Sequence, residues 1–248
     1  MSGILLSGIV VFITHTIEAI TGFGCSVLAM PFVTALLGMR MGVMVITLLA
    51  WLLALYFAVR KRREIDWKQF CIIVGCMLMG LPVGMYLFRN VDGTSLRTIL
   101  AVFICVVSIW QLIRRYRTKT TPAEEKQTSR IKEIPYYLLL VAGGVIHGMF
   151  SSGGPLVVLY ASKHLPDKGR FRATLCLLWT TLNSIIVASY LIEGSMTSTV
   201  MGTTGLLVPF VLAGIVAGER IHDRADERTF SLIVFGMLLL TGIFMLWK

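Results

Sequence analysis

Two long apolar stretches of the chain are interrupted by glycine, and the interruptions fall at matching places in its two halves. The first reads Ile20-Thr21-Gly22-Phe23-Gly24-Cys25-Ser26 and the second Met149-Phe150-Ser151-Ser152-Gly153-Gly154-Pro155. Each is followed by a short apolar run of helical length. Glycine interrupts a helix through its conformational freedom, proline through its missing N–H. In hydrocarbon a freed backbone group finds no water, so such a break persists only where protein or a cavity surrounds it. A pair of broken segments, one per half, is the best sequence pointer to a binding site between membrane repeats.

Hydropathy supports a membrane setting. Of the 248 residues 56% are hydrophobic and only 15% charged, with a mean hydropathy of +0.81. Soluble domains carry roughly 25% charged residues. Between the charges lie uncharged intervals at 1–17, 19–39, 41–59, 69–88, 98–113, 134–162, 173–192, 194–218 and 229–247. Most approach the ~20 residues that cross a bilayer as a helix, so the chain reads as an all-α integral membrane protein. Met1-Ser2-Gly3 lacks a basic leader, and the first interval is expected to remain as a span. The net charge of +10 sits in short loops beside spans, which encodes orientation and does not indicate nucleic acid. The five cysteines have neither metal-ligand spacing nor a disulfide framework; four are expected to be small buried hydrophobes, and Cys25 stands apart because it lies in a break. No metal, cofactor or catalytic motif is found, which argues against an enzyme.

The second half overlays the first. Glu18 aligns with His147 and Gly24 with Gly153, 129 positions apart, while Gly80 and Gly84 align with Gly214 and Gly218, 134 positions apart. Each half then consists of a glycine-broken, re-entrant-type helical hairpin and three transmembrane helices. The expected spans are 41–59, 68–87 and 97–113, then 171–192, 198–218 and 230–247. The division is a first repeat over 1–113, a polar cytoplasmic linker over 114–134 and a second repeat over 135–248.

Charge sets direction. Arg60-Lys61-Arg62-Arg63, the cluster Arg114, Arg115, Arg117 and Lys119, and the cluster Lys163, Lys168, Arg170 and Arg172 are all assigned to the cytoplasm. The loops 88–96 and 193–197 are assigned outside. Three spans per half is an odd number, so the second repeat is inverted relative to the first. The first hairpin then enters from the periplasm, the second from the cytoplasm, and both termini are periplasmic.

In this arrangement the second leg of each hairpin starts at a tip, with free N–H groups and about half a positive charge at its N-terminus. Two such ends make an anion site without arginine. The expected substrate contacts are Thr21, Gly22, Gly24, Cys25 and Ser26 in the first tip, Ser151, Ser152, Gly153 and Gly154 in the second, and Asn183 in the facing span. Pro155 suits the first helical turn, and Ser151 and Ser152 are read as caps or as ligand hydroxyls. The glycines alternatively serve helix packing, the reading that suffices for Gly80, Gly84, Gly214 and Gly218. Glu18 is a proton-coupling candidate, or a solvated residue near the inner surface if the first leg crosses fully. His147 is a second coupling candidate or a packed, hydrogen-bonded histidine. Asn183 either bonds a neighbouring helix or lines the cavity. Trp51 and Trp179 are read as packing residues.

The run Gly22-Phe23-Gly24-Cys25-Ser26-Val27-Leu28-Ala29-Met30-Pro31, the run Ser152-Gly153-Gly154-Pro155-Leu156-Val157-Val158 and the two Gly-x-x-x-Gly spans resemble the TauE/SafE family of bacterial membrane transporters, the sulfite exporters. The resemblance covers nearly the whole chain. It implies export of small sulfur oxyanions or organosulfonates across the cytoplasmic membrane. Cys25 and Ser26 stand where the family pattern has further glycines, so glycine-rich positions carry over only to Gly22, Gly24, Gly153 and Gly154. Three readings stand: a secondary transporter exporting a small anion by alternating access, a passive anion channel, and a transporter of a different anionic metabolite. The partners expected are the anionic substrate and the lipid bilayer; oligomeric state is unassigned.

Overall fold

A computed structural model describes residues 2–117 and 133–221, with short stretches between 236 and 247. Most of the expected linker and of the last apolar interval therefore lie outside the described residues, as do the side chains of Thr21 and Arg114–Arg117. The described regular structure is helical throughout. In chain order it comprises α1 (Ser2–Thr21), α2 (Cys25–Leu37), α3 (Met39–Arg60), a 3-10 turn (Arg62–Glu64), α4 (Trp67–Asn90), α5 (Gly93–Arg117), α6 (Ile134–Phe150), α7 (Gly154–His164), α8 (Lys168–Ile192) and α9 (Ser198–Ile221). Among the described residues six helices, α1, α3, α4, α5, α8 and α9, are long and apolar enough to cross a bilayer.

Helix is the form an apolar segment takes when its backbone must be satisfied internally. Three of the starts outside the breaks are marked by local caps, while α3 and α6 begin without one. Asp66 Oδ1 accepts from Gln69 N at 3.0 Å to open α4, Asp92 Oδ2 from Ser95 N at 2.9 Å to open α5, and Asp167 Oδ1 from Arg170 N at 2.8 Å to open α8. The two interruptions are where glycine predicts them. α1 ends at Thr21 and α2 begins at Cys25; α6 ends at Phe150 and α7 begins at Gly154. Both pairs are 129 positions apart. Gly22 (φ 82°) and Gly24 (φ 108°) hold the first bend in left-handed backbone, while the second turns through Ser151 (φ 50°).

α3 and α8 form the centre. Sixty-one per cent of α3 and 50% of α8 are buried, against 28–39% of the other spans. Around this pair α4 runs along α6, and α1 runs along α9. Both flanking contacts are made backbone to backbone through the glycines. A Cβ at Gly80 would strike Val141 O and Val145 N, and one at Gly84 would strike Val145 O. A Cβ at Gly214 would lie 2.9 Å from Phe12 O and 3.1 Å from Thr16 N, and one at Gly218 would lie 2.8 Å from Thr16 O. Val141 and Val145 align with Phe12 and Thr16, so the same atoms meet in both halves. Close approach of this kind is how helices associate in lipid, where dispersion replaces the hydrophobic effect.

Charged loops gather at opposite ends of the central pair. At one end Arg60 pairs with Glu219 at 2.7 Å and Lys61 with Glu64 at 2.8 Å. At the other, Arg89 pairs with Glu193, and Arg40 Nη2 donates to Arg89 O at 3.0 Å and Val91 O at 3.1 Å. Of the four cysteines expected to be buried, Cys176 is; Cys76 and Cys105 are half-buried, and Cys71 is exposed because α4 turns that face away from the bundle.

Candidate functional site

The two interruptions meet at one small cavity of about 20 Å³, which is room for roughly one water. From the first hairpin it is lined by Glu18, Gly24, Ser26 and Val27; from the second by His147, Ser151, Ser152 and Gly154. Ala50 of α3 and Trp179 and Asn183 of α8 close it. Ala50 lies at the midpoint of α3, and Trp179 and Asn183 flank the midpoint of α8. The cavity therefore sits halfway along the central spans.

At the first tip, α2 begins with Gly24 as its N-cap and no local side-chain cap. Glu18, one turn before the break, reaches across it instead, and its Oε2 accepts from Cys25 N at 2.7 Å. The carboxylate thus occupies an anion-binding position of the α2 N-terminus. Glu18 is 3% exposed, so the expectation of a solvated acid near the inner surface does not hold. Cys25 is fully buried, with its Sγ 3.8 Å from Ser26 Oγ.

The second tip is held differently. No side chain caps α7, whose N-cap is Gly153 and whose first turn contains Pro155 as the sequence indicates. The reading of Ser151 and Ser152 as caps is corrected. Thr47 Oγ1 donates to Val43 O, so the Ser151 hydroxyl, 2.7 Å away, donates to Thr47. Ser152 Oγ donates to Phe150 O at 2.8 Å. Both serines use their protons to fix the bend rather than to cap the helix that follows. His147, the partner of Glu18 in the overlay, does not turn to the α7 N-terminus. Its Nε2 bonds Asn183 Oδ1 at 3.0 Å, its ring stacks on Trp179 with centroids 5.2 Å apart, and its buried Nδ1 has no hydrogen-bond partner among the described residues. With Asn183 accepting, Nε2 carries the proton, and Nδ1 is an acceptor in the neutral ring.

Three of the expected contacts stand apart from the cavity. Gly22 backs onto Arg172, whose Cα would be 2.9 Å from a Cβ there. Gly153 packs against α6, where a Cβ would strike Gly143 O and lie 2.9 Å from His147 Cβ. Cys25 contributes its amide to Glu18. The Thr21 side chain lies outside the described residues. Trp179, read from sequence as a packing residue, is a wall of the cavity, and its Nε1 donates to Gly22 O at 3.2 Å, tying α8 to the first bend. Thr47, which holds the second bend, carries no signal in the sequence. Nothing in its flanking sequence marks it; its partner is 104 positions away. Trp51 donates to Ser184 Oγ at 2.8 Å and serves packing.

A profile of the family described as sulfite exporter TauE/SafE matches residues 7–245. The chain belongs to the TauE/SafE family. The match takes in both hairpins, the central pair α3 and α8 and the glycine contacts, so the family assignment applies to the whole bundle and agrees with a multi-pass membrane transporter. A relative from Cupriavidus necator described as a probable sulfite/organosulfonate exporter TauE is 22% identical over 228 residues, covering 91% of this chain and 86% of its own length. No solved structure gives a significant match. Among the described residues no group of histidine, cysteine and carboxylate side chains forms a metal site in this TauE/SafE chain.

Proposed function

We propose that the chain is a secondary transporter that exports a small sulfur oxyanion, sulfite or an organosulfonate, across the bacterial cytoplasmic membrane by alternating access between two inverted repeats. The observation that carries this reading is the single cavity shared by both hairpin tips, halfway along the central spans. Helix N-termini of broken segments at mid-membrane are the recurrent anion-binding device of such transporters. The repeats are 1–113 and 135–248, joined by the cytoplasmic linker 114–134, with both termini periplasmic. The matched glycine contacts support the repeat, and the gathering of Arg60 and Glu219 at one end and Arg89 and Glu193 at the other supports the direction.

A cavity with room for one water is too small for a three-oxygen anion. The tips must part to admit substrate, which fits a carrier better than a permanently open channel. Gly24, Ser26 and Gly154 then receive the anion from both sides, with Ser151, Ser152 and Asn183 exchanging their internal bonds for it. Protonation of Glu18 leaves an acceptor on the Cys25 amide but takes negative charge off the α2 N-terminus, and His147 gains a donor at Nδ1 when protonated. An exported anion gains about 2.3 kcal/mol per charge per 100 mV from an inside-negative potential, so protons adjust the rate and are not required as a driving force.

Purified protein in liposomes tests the reading. Saturable uptake with counterflow is expected for at least one of sulfite, sulfate, sulfoacetate and taurine. Flux linear in concentration without counterflow would make the protein a channel, and no flux of any of the four would point to a different anion. Impermeant thiol labelling of cysteines introduced in 114–134 is expected only in inside-out vesicles; labelling in intact cells would overturn the inverted arrangement.

A further inference from the structure

Between the end of α3, the 3-10 turn, the start of α8 and the end of α9 lies a second, open cavity of about 490 Å³. It is lined by Arg60, Lys61, Arg63, Glu64, Arg172 and Glu219. Two of its four cations are paired internally, Arg60 with Glu219 and Lys61 with Glu64. Arg63 and Arg172 have no carboxylate partner among the described residues. The vestibule is therefore cationic, and it is large enough for a hydrated oxyanion.

Arg172 is its unusual member. It is only 7% exposed, and its Nε and Nη2 are buried with no hydrogen-bond partner among the described residues. A buried guanidinium with open donors is costly unless an anion visits it. Nε–H and one Nη2–H lie on the same edge of the guanidinium plane, the edge that grips two oxygens of an oxyanion side-on. The plane is held in place by the Phe57 ring, 3.8 Å from the guanidinium carbon. Its backbone and aliphatic stem form the surface on which Gly22 of the first bend rests. The same residue thus faces the vestibule and abuts the hairpin whose tip lines the central cavity. Position 43, its counterpart in the first half, is valine, so the feature belongs to one face of the molecule only.

We propose that Arg172 is a second oxyanion-binding subsite, on the path between the vestibule and the hairpin tips, which takes two oxygens of a sulfite or sulfonate group through Nε and Nη2. The assignment rests on the transport reading for its physiological role. It predicts an asymmetry that the central cavity, lined by both halves, does not: the vestibule face should capture anion at lower concentration than the opposite face.

The test uses the full chain in liposomes and in phosphatidylcholine nanodiscs, with sulfite as the probe. Arg172→Gln should raise the half-saturating sulfite concentration at the vestibule face about tenfold and leave the opposite face unchanged. Arg172→Lys, which keeps charge and loses the fork, should restore less than half of that loss. Arg63 is exposed in the 3-10 turn, so Arg63→Gln threatens folding least; it should raise the same value about threefold through the cationic field. Equal changes at both faces, or none in any of the three variants, would overturn the proposal. So would an Arg172→Gln protein that titrates with sulfite as before. Asn183→Ala separates the two readings. If it leaves flux and affinity intact while the Arg172 variants act on one face, the tip site is wrong and the vestibule site stands. Failure of the wild type to bind sulfite, sulfate or a sulfonate in nanodiscs overturns both.

Discussion

The two hairpin tips occupy corresponding places in the chain, yet their second legs start in opposite ways. α2 begins under the carboxylate of Glu18, which takes the Cys25 amide. α7 begins with no side-chain cap, because His147 is turned to Asn183 and both serines are spent on the bend. One helix N-terminus already carries a carboxyl group belonging to the protein; the other carries none among the described residues. The two tips are therefore unequal: a carboxyl of the protein covers the start of α2, and no side chain covers the start of α7. Outside the tips, the starts at Asp66, Asp92 and Asp167 are capped locally, while α3 and α6 begin, like α7, without a side-chain cap.

The largest expected effect lies at the second tip. Gly154→Leu should fold and lose measurable anion binding, since a Cβ there meets only Trp179 and Phe23 at 3.8–3.9 Å and the longer side chain enters the shared cavity. Gly153→Leu, one residue earlier, should fail to fold, because its Cβ already strikes α6. Thermal unfolding in detergent together with sulfite binding separates the two, and unchanged affinity in a folded Gly154→Leu protein would move the site away from α7.

Next come the glycine contacts that hold each tip in place. Gly84→Ala should cost toward the upper end of the about 1–3 kcal/mol typical of overpacking, and Gly214→Ala toward the lower end. The reason is that the added carbon collides with Val145 O at the first site but stays 2.9 Å from Phe12 O at the second. Denaturant midpoints measure this; equal losses would mean that the two flanking pairs relax alike.

At the first tip, Glu18→Ala should destabilise by about 1–3 kcal/mol by leaving the buried Cys25 amide unsatisfied. Glu18→Gln keeps an acceptor and should retain stability and binding while removing the pH dependence of transport. Flux measured with and without a pH gradient decides it, and full proton-sensitive flux in the Gln variant would reduce Glu18 to a cap.

The smallest effect is at an ordinary start. The Ser95 amide holds the Asp92 carboxyl below the usual aspartate range. A depressed folded value contributes stability that is present above the unfolded value and is lost as pH falls through the folded one. Asp92→Ala should therefore lower the melting temperature slightly at neutral pH, and the difference from wild type should vanish in strong acid. A gap that persists there would mean that Asp92 acts by something other than its charge.

Much of the bundle was legible because the signals are local. Uncharged intervals set the helices, and glycine set the breaks at Thr21–Cys25 and Phe150–Gly154, since the choice between continuing and ending a helix is made within a turn of the residue concerned. The overlay of Gly80 and Gly84 on Gly214 and Gly218 also identified the packing faces, because in lipid only small residues allow backbones to touch. Basic clusters likewise put Arg60–Arg63 and Lys163–Arg172 on the same side, and Arg60, Arg63 and Arg172 do line one cavity.

What tertiary structure alone decided is where the polar side chains point. Ser151 could cap α7 or bond elsewhere, and the nearness of Thr47 on α3 selected the second. Trp179 became a wall because α8 crosses the first bend, where Gly22 O accepts its indole N–H. Glu18 became a cap because the glycines fold the chain back over one helical turn, bringing its carboxylate to Cys25. Arg172 was visible only as a loop charge, and its burial under the first hairpin came from the packing of α1 and α2 on the central pair. Each of these outcomes depends on groups far apart in the chain. Hydrogen bonds reach about 3 Å and are strongly directional, so they follow the crossing of helices and cannot be read from the residues beside them.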